Sequence, residues 1–259
     1  MSILRSHQVS LQLGNKQILN DVSLTAHRGD FIGLIGPNGS GKSTWLRAIC
    51  GLLPYDKGSV EIKGKSIKKY DTKEIAKMIG YVPQDTSLDF DFLVKDIVLM
   101  GRHAHIPRFG LESAKDFEIA EQALMTTNIS HLANRYVNQL SGGQRQMVFI
   151  AKALAQQTDI LILDEPTSAL DINRQLQVLQ LVKQLTKEGV TVVTAIHDLN
   201  LAARFCNKLV LLAEGNVLAA GHPETVLTAD HMLKSYEVEA SIRYDALIKS
   251  HYVTPLAYK

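Results

Sequence analysis

A lysine, two adjacent carboxylates and a run of glycines are the residues of this sequence whose spacing suits chemistry on a phosphate. The run is Gly36-Pro37-Asn38-Gly39-Ser40-Gly41-Lys42-Ser43-Thr44. Glycine takes positive φ without a Cβ penalty, so successive backbone N–H groups can turn inward as an anion nest closed by a helix N-terminus. Lys42 adds a mobile charge for β- and γ-phosphates, and Ser43 a hard hydroxyl oxygen suited to Mg²⁺. Kinases, GTPases and ATPases all use this spacing, so the loop by itself leaves the task open.

Asp164 and Glu165 follow Ile160-Leu161-Ile162-Leu163, an apolar run with the pattern of a parallel strand buried on both faces. Burying unpaired charge is costly, which argues against core filling. A cation facing Asp164 and a water polarised by Glu165 account for both. His197 ends a second strand-like run, Val190–Ile196. There a neutral imidazole can hydrogen-bond a γ-phosphate, although lone histidines are commonly structural. In Leu140-Ser141-Gly142-Gly143-Gln144, Ser141 occupies an N-cap position and the two glycines let backbone N–H groups approach an anion.

The elements that must position these groups follow from hydrophobic periodicity. Phe31–Ile35 reads as a buried strand ahead of the glycine loop, and Trp45–Cys50 as the helix after it. Alternation from Val9 to Leu24 around Gly14-Asn15-Lys16 predicts a hairpin, Gly58–Ile62 and Met78–Val82 further strands, and residues 72–77 a small helix. After Pro83-Gln84-Asp85 the period becomes helical, with stretches around 94–101 and 117–124 and a strong helix over Arg145–Gln156. Ser168-Ala169-Leu170-Asp171 opens a helix carrying Leu176, Leu179, Val182 and Leu185 on one face. A helix over 199–206, a strand over 208–213 and a turn at Gly215-Asn216 continue the α/β alternation. Short helices follow Glu224, and the tail 236–259 alternates weakly.

At 259 residues, 46% hydrophobic and 21% charged, the chain can bury a sizeable core. Its 28 basic and 26 acidic residues give a net charge of +2 without a basic stripe, which does not favour nucleic acid as a partner. Cys50 and Cys206 stand alone in apolar helical stretches and read as buried thiols of a reducing compartment. No stretch reaches the roughly 18 apolar residues of a spanning helix, so a membrane would be crossed by other chains.

Taken in order, Gly36–Thr44, Gln84, Leu140–Gln144, Ile160–Glu165, Ser168–Asp171 and His197 resemble the motif set of the nucleotide-binding subunit of ABC transporters, over roughly residues 3–230. The resemblance implies an α/β fold: a P-loop ATPase with a mainly parallel RecA-like sheet, an antiparallel hairpin region and an inserted α-helical lobe. It implies one domain, with 1–84 and 156–235 as the catalytic lobe, 85–155 as the helical lobe and 236–259 as a tail. Residues 36–44 would bind ATP, and Ser43, Gln84 and Asp164 would surround Mg²⁺. Glu165 would be the general base, with His197 on the γ-phosphate and Gln84 reporting nucleotide state. Ser141, Gly142, Gly143 and Gln144 would complete the site of a second copy in a head-to-tail homodimer, with Asp171 at the seam.

Asp96–Arg102, Leu154-Ala155-Gln156 and His197-Asp198-Leu199-Asn200 with Ala202-Ala203 are similar to importers of metal chelates of the iron–siderophore, haem or cobalamin type. Ser250–Leu256 is similar to a molybdate-type importer. Such a subunit would sit on the cytoplasmic face of the membrane beside two multi-spanning permease subunits, fed by an extracytoplasmic binding protein. A soluble ABC ATPase without a permease and an exporter subunit are the alternatives. Leu13 stands where the family usually places an aromatic residue for adenine, so the base-stacking partner stays open. His103 and His105 suggest a metal site, but two histidines in a polar loop are ordinarily solvated.

Overall fold

The computed structural model describes residues 2–87, 90–168 and 170–258; Met1, Leu88, Asp89, Ala169 (one position of the Ser168–Asp171 motif) and Lys259 lie outside the described residues. The chain opens with β1 (Ser2–Leu13) and β2 (Lys16–His27), an antiparallel hairpin. It is longer than the Val9–Leu24 alternation predicts, and the reason is local. Gln8 adopts φ +47° and the register slips between Ser6 and Val9, so the bulge resets which side chains face inward and hides the first half of the strand from a period-2 reading.

Next come β3 (Phe31–Ile35), buried throughout, and α1 (Lys42–Ile49), which starts at the lysine rather than at Trp45. Then β4 (Lys57–Ile62) and β5 (Lys65–Ser66) extend the hairpin into a four-stranded antiparallel sheet ordered β2-β1-β4-β5. α2 (Thr72–Ala76), held by an Asp71–Glu74 capping box, leads into β6 (Ile79–Val82). The helices α3 (Val94–Leu99), α4 (Ala114–Thr126) and α5 (Gly142–Ala155) follow.

The chain returns to a sheet with β7 (Ile160–Asp164), α6 (Ile172–Lys187), β8 (Thr191–Ala195), α7 (Leu199–Phe205), β9 (Lys208–Ala213) and β10 (Asn216–Gly221). The six-stranded order is β10-β9-β3-β8-β7-β6, and every pairing in it is parallel except β9 with β10. Successive strand residues face opposite sides. Accordingly Ile160, Ile162, Val193 and Leu212 pack with Trp45 and the antiparallel sheet, whereas Leu161, Leu163, Val192 and Leu211 pack with α5, α6 and α7. The expected mainly parallel α/β fold, with its antiparallel region and helical insertion, is the fold observed.

After α8 (Pro223–Val226) and α9 (Ala229–Tyr236), the weakly alternating tail forms a separate antiparallel pair, β11 (Val238–Asp245) and β12 (Ser250–Tyr258). Asn200 of α7 holds it by accepting from the Val253 N–H and donating to the Val253 carbonyl. No helix among the described residues is long and apolar enough to cross a membrane.

Candidate active site

Because β3, β6, β7 and β8 run parallel, their carboxyl ends lie along one edge of the sheet, where ligands of open α/β sheets collect. From these ends the chain delivers Gly36, Gln84, Asp164 with Glu165, and His197. The glycine loop has the backbone its sequence calls for, with Gly36 at φ +143° and Gly41 at +104°. A Cβ at Gly36 would lie 2.1 Å from the Leu212 carbonyl oxygen, so no other residue fits there without moving β9.

Lys42 is 5% exposed, and its ammonium donates to the Gly36 and Pro37 carbonyls at 2.8 and 3.0 Å. Burial lowers its pKa, while the Glu165 and Asp164 carboxylates act in the opposite direction. The Ser40 hydroxyl is buried in the same loop without a hydrogen-bond partner among the described residues. A buried ammonium satisfied only by two neutral carbonyl oxygens is a donor that fits a phosphate group. Asn38, Gly39, Gly41, Lys42, Ser43 and Thr44 line a cavity of about 250 Å³ together with Glu165 and with Lys16 and Ile18 of β2.

Asp164 is wholly buried, and its oxygens accept from the Ser43 hydroxyl at 2.7 Å and the Tyr81 hydroxyl at 3.2 Å. Burial raises its pKa against those two bonds. Among the described residues no basic side chain forms an ion pair with it. A buried carboxylate satisfied only by neutral hydroxyls, one of them on the phosphate loop, fits a hard divalent cation such as Mg²⁺. Burial pushes the Tyr81 phenol up to about 12, with the facing Arg47 guanidinium opposing.

Glu165 has both oxygens engaged. His197 Nε2 lies 2.5 Å from Oε1, and Gln84 Nε2 donates to Oε2 at 2.6 Å. Its backbone is left-handed at φ +51°, a conformation costing a non-glycine residue about 1 kcal/mol or more. The Ser168 N–H and hydroxyl steady it by donating to the Glu165 carbonyl at 3.2 and 3.1 Å. Glu165 also lines a second cavity of about 220 Å³, shared with Gln84, Gly142 and Arg145. It therefore stands between the phosphate loop and the start of α5.

The fold thus gathers the loop, Gln84, Asp164, Glu165 and His197 on one edge, and leaves two motifs elsewhere. At the start of α5, Ser141 accepts from the Gln144 N–H at 3.3 Å and Gln144 accepts from the Ser141 N–H at 3.1 Å, a capping box at an exposed helix end. None of Ser141, Gly142, Gly143 and Gln144 lines the phosphate-loop cavity. Asp171 caps α6 by accepting from the Arg174 N–H at 2.9 Å, beside a different cavity with Asn128 and His131. His105 bonds the Gln156 carbonyl at 2.9 Å. Tyr81 was invisible as a site residue in the sequence, where it is one aromatic in a predicted strand; its only cue is its place shortly before Gln84. Leu13 is 49% exposed, and no aromatic residue lines the loop cavity.

Residues 19–168 match the ABC transporter family. The chain is 41% identical over 96% of its length to the cobalamin import ATP-binding protein BtuD of Halobacterium salinarum, of which it spans 62%. It is 38% identical to the ferric enterobactin transport ATP-binding protein FepC of Escherichia coli, covering 98% of this chain and 94% of that one. A solved metal-chelate type ABC transporter in an inward-facing conformation superposes with a TM-score of 0.85 at 32% identity, covering 99% of this chain and 98% of the other. A dimeric bacterial ABC transporter cassette gives 0.76, also at 32% identity, over 85% and 98%.

Proposed function

The chain belongs to the ABC transporter family, and from that premise we propose that it is the ATP-binding and ATP-hydrolysing subunit of an importer. Its cargo is a metal chelate of the iron–siderophore, haem or cobalamin type, or a molybdate-type oxyanion, carried by a separate membrane permease. The functions of its relatives, cobalamin import and ferric enterobactin transport, support the chelate reading. The subunit docks on the cytoplasmic face of the membrane as a homodimer against two permease subunits, fed by an extracytoplasmic binding protein. The 1–84 and 156–235 segments act as the catalytic lobe, 85–155 as the helical lobe and 236–259 as a tail.

The observation that carries the reading is the placement of Glu165 between His197 and Gln84, on the wall of the cavity formed by the Lys42 loop. The loop N–H groups and Lys42 hold the phosphates of ATP. Ser43, Asp164 and Gln84 would hold Mg²⁺, which would supply positive charge to offset charge developing on the phosphates. For hydrolysis Glu165 must free one oxygen from His197 or Gln84 and turn it to a water. The water oxygen bonds the γ-phosphorus, its proton passes to Glu165, and the bond to the β,γ-bridging oxygen breaks to release ADP.

His197 Nε2 has a second use, on the γ-phosphate, so nucleotide binding competes for a group that restrains Glu165, while Gln84 can offer its Oε1 to Mg²⁺ with its Nε2 still on Glu165. Ser141 to Gln144, exposed at a helix N-terminus and outside their own chain's loop cavity, supply anion-binding N–H groups to a second copy. Reconstitution with the permease in liposomes tests the reading: a chelate or oxyanion delivered by its binding protein raises ATP hydrolysis. Turnover indifferent to the permease and to every such cargo would overturn the importer assignment.

A further inference from the structure

Asp164 is gripped from the side away from the phosphate loop as well as from the loop itself. One oxygen accepts from Ser43, on α1; the other accepts from Tyr81, on β6, 83 residues earlier in the chain. β6 and β7 pair in parallel with Tyr81 opposite Ile162, which sets the ring beside the end of β7 and lets the hydroxyl reach two residues further to Asp164. The Arg47 guanidinium, in the last turn of α1, acts on the Tyr81 phenol in the direction opposite to burial. One carboxylate thereby ties together the helix that opens at Lys42, through Ser43, and the strand that ends before Gln84, through Tyr81.

We propose that Tyr81 is the positioning residue for the metal-binding carboxylate: it fixes the rotation of Asp164 so that the oxygen shared with Ser43 is presented to a hard divalent cation. A carboxylate held at one oxygen alone can turn about its last torsion and presents its free lone pairs in many directions. Held at both, it meets the cation in one. Partners that orient a ligating side chain in this way are commonly worth 10- to 100-fold in metal affinity. The proposal rests on the reading of Ser43 and Asp164 as Mg²⁺ ligands, and it adds a residue that this reading does not contain.

The test is a calorimetric titration of Mg²⁺ into the ADP-loaded protein, with Mn²⁺ binding followed independently by its EPR signal. Tyr81→Phe, which keeps the ring, is expected to weaken metal binding about tenfold and to leave ADP affinity in EDTA and the thermal midpoint unchanged. Parent-like metal affinity in Tyr81→Phe overturns the proposal, and so does a joint fall in ADP affinity and thermal midpoint with metal affinity intact, the signature of a merely structural role. Asp164→Asn separates the two levels. If it loses the metal while Tyr81→Phe does not, only the role of Tyr81 fails; if it keeps the metal, the Mg²⁺ reading fails with it.

Discussion

Replacing Glu165 by Gln should nearly abolish ATP hydrolysis while leaving ATP binding in place. The substitution keeps the shape, the side-chain length and the strained φ of +51°, and removes only the capacity to take a proton. General-base catalysis is commonly worth about 10²- to 10⁴-fold, so turnover should fall at least about 100-fold, near 2.7 kcal/mol of barrier at 1.36 kcal/mol per tenfold. The stability change is small by comparison. His197 is 41% exposed at the side chain, so its contact with Glu165 is largely screened by solvent and is worth at most about 1 kcal/mol. The amide that replaces the carboxylate also keeps a carbonyl oxygen that can accept from Gln84. Phosphate release under single-turnover conditions, set beside binding of a fluorescent ATP analogue, separates chemistry from affinity. A Glu165→Gln protein that releases phosphate at the parent rate would remove Glu165 from its role.

Lys42→Ala should weaken ATP binding itself by roughly 10- to 100-fold, the scale of lost charge-assisted hydrogen bonds, as read by the same fluorescent titration; parent-like affinity would contradict the reading. Arg102 is buried against Asp116 at 2.9 Å and donates to the Ala155 carbonyl at 2.7 Å, which caps the far end of the helix begun by Ser141. Arg102→Ala should cost about 3 kcal/mol and lower the thermal midpoint by about 6–12 °C, measured by calorimetry. The Ser113 hydroxyl and backbone N–H, then Arg102, hold the Asp116 carboxyl well below the usual carboxylate range. A depressed folded-state pKa stabilises above the unfolded value, near 3.9, and that stabilisation is lost as pH falls toward the folded value. Asp116→Asn should therefore flatten the loss of thermal midpoint below about pH 4, and an unchanged acid slope would contradict this.

What the sequence revealed and what it hid follow from range. The loop, the apolar run ending in Asp164 and the Ser141 cap are local patterns, and each forms an element close to where its residues indicate. Boundaries moved where one residue changed the backbone: the bulge at Gln8 masked the start of β1, and α1 begins at Lys42 because Gly41 turns the chain four residues before the apolar face starts at Trp45. The tail reads weakly because much of β12 is solvent-exposed, with Leu256 at 66%, so alternation has little burial to enforce it. Contacts across the sheet left no trace. The clamp on Glu165 joins Gln84, 81 residues away, and the Tyr81–Asp164 bond joins strands whose adjacency only the β6–β7 pairing creates.

The claim on which the account turns is that ATP is shared between the Lys42 loop of one copy and the Ser141 turn of another. Asn38 and Ser141 are exposed, whereas the native cysteines Cys50 and Cys206 are buried, so an Asn38→Cys, Ser141→Cys protein on the Glu165→Gln background reports that contact by oxidative cross-linking. The account predicts a covalent dimer with ATP present and none in its absence, with neither single-cysteine protein forming it. Two cysteines that both react freely with a soluble thiol reagent yet give no dimer on adding ATP would contradict it.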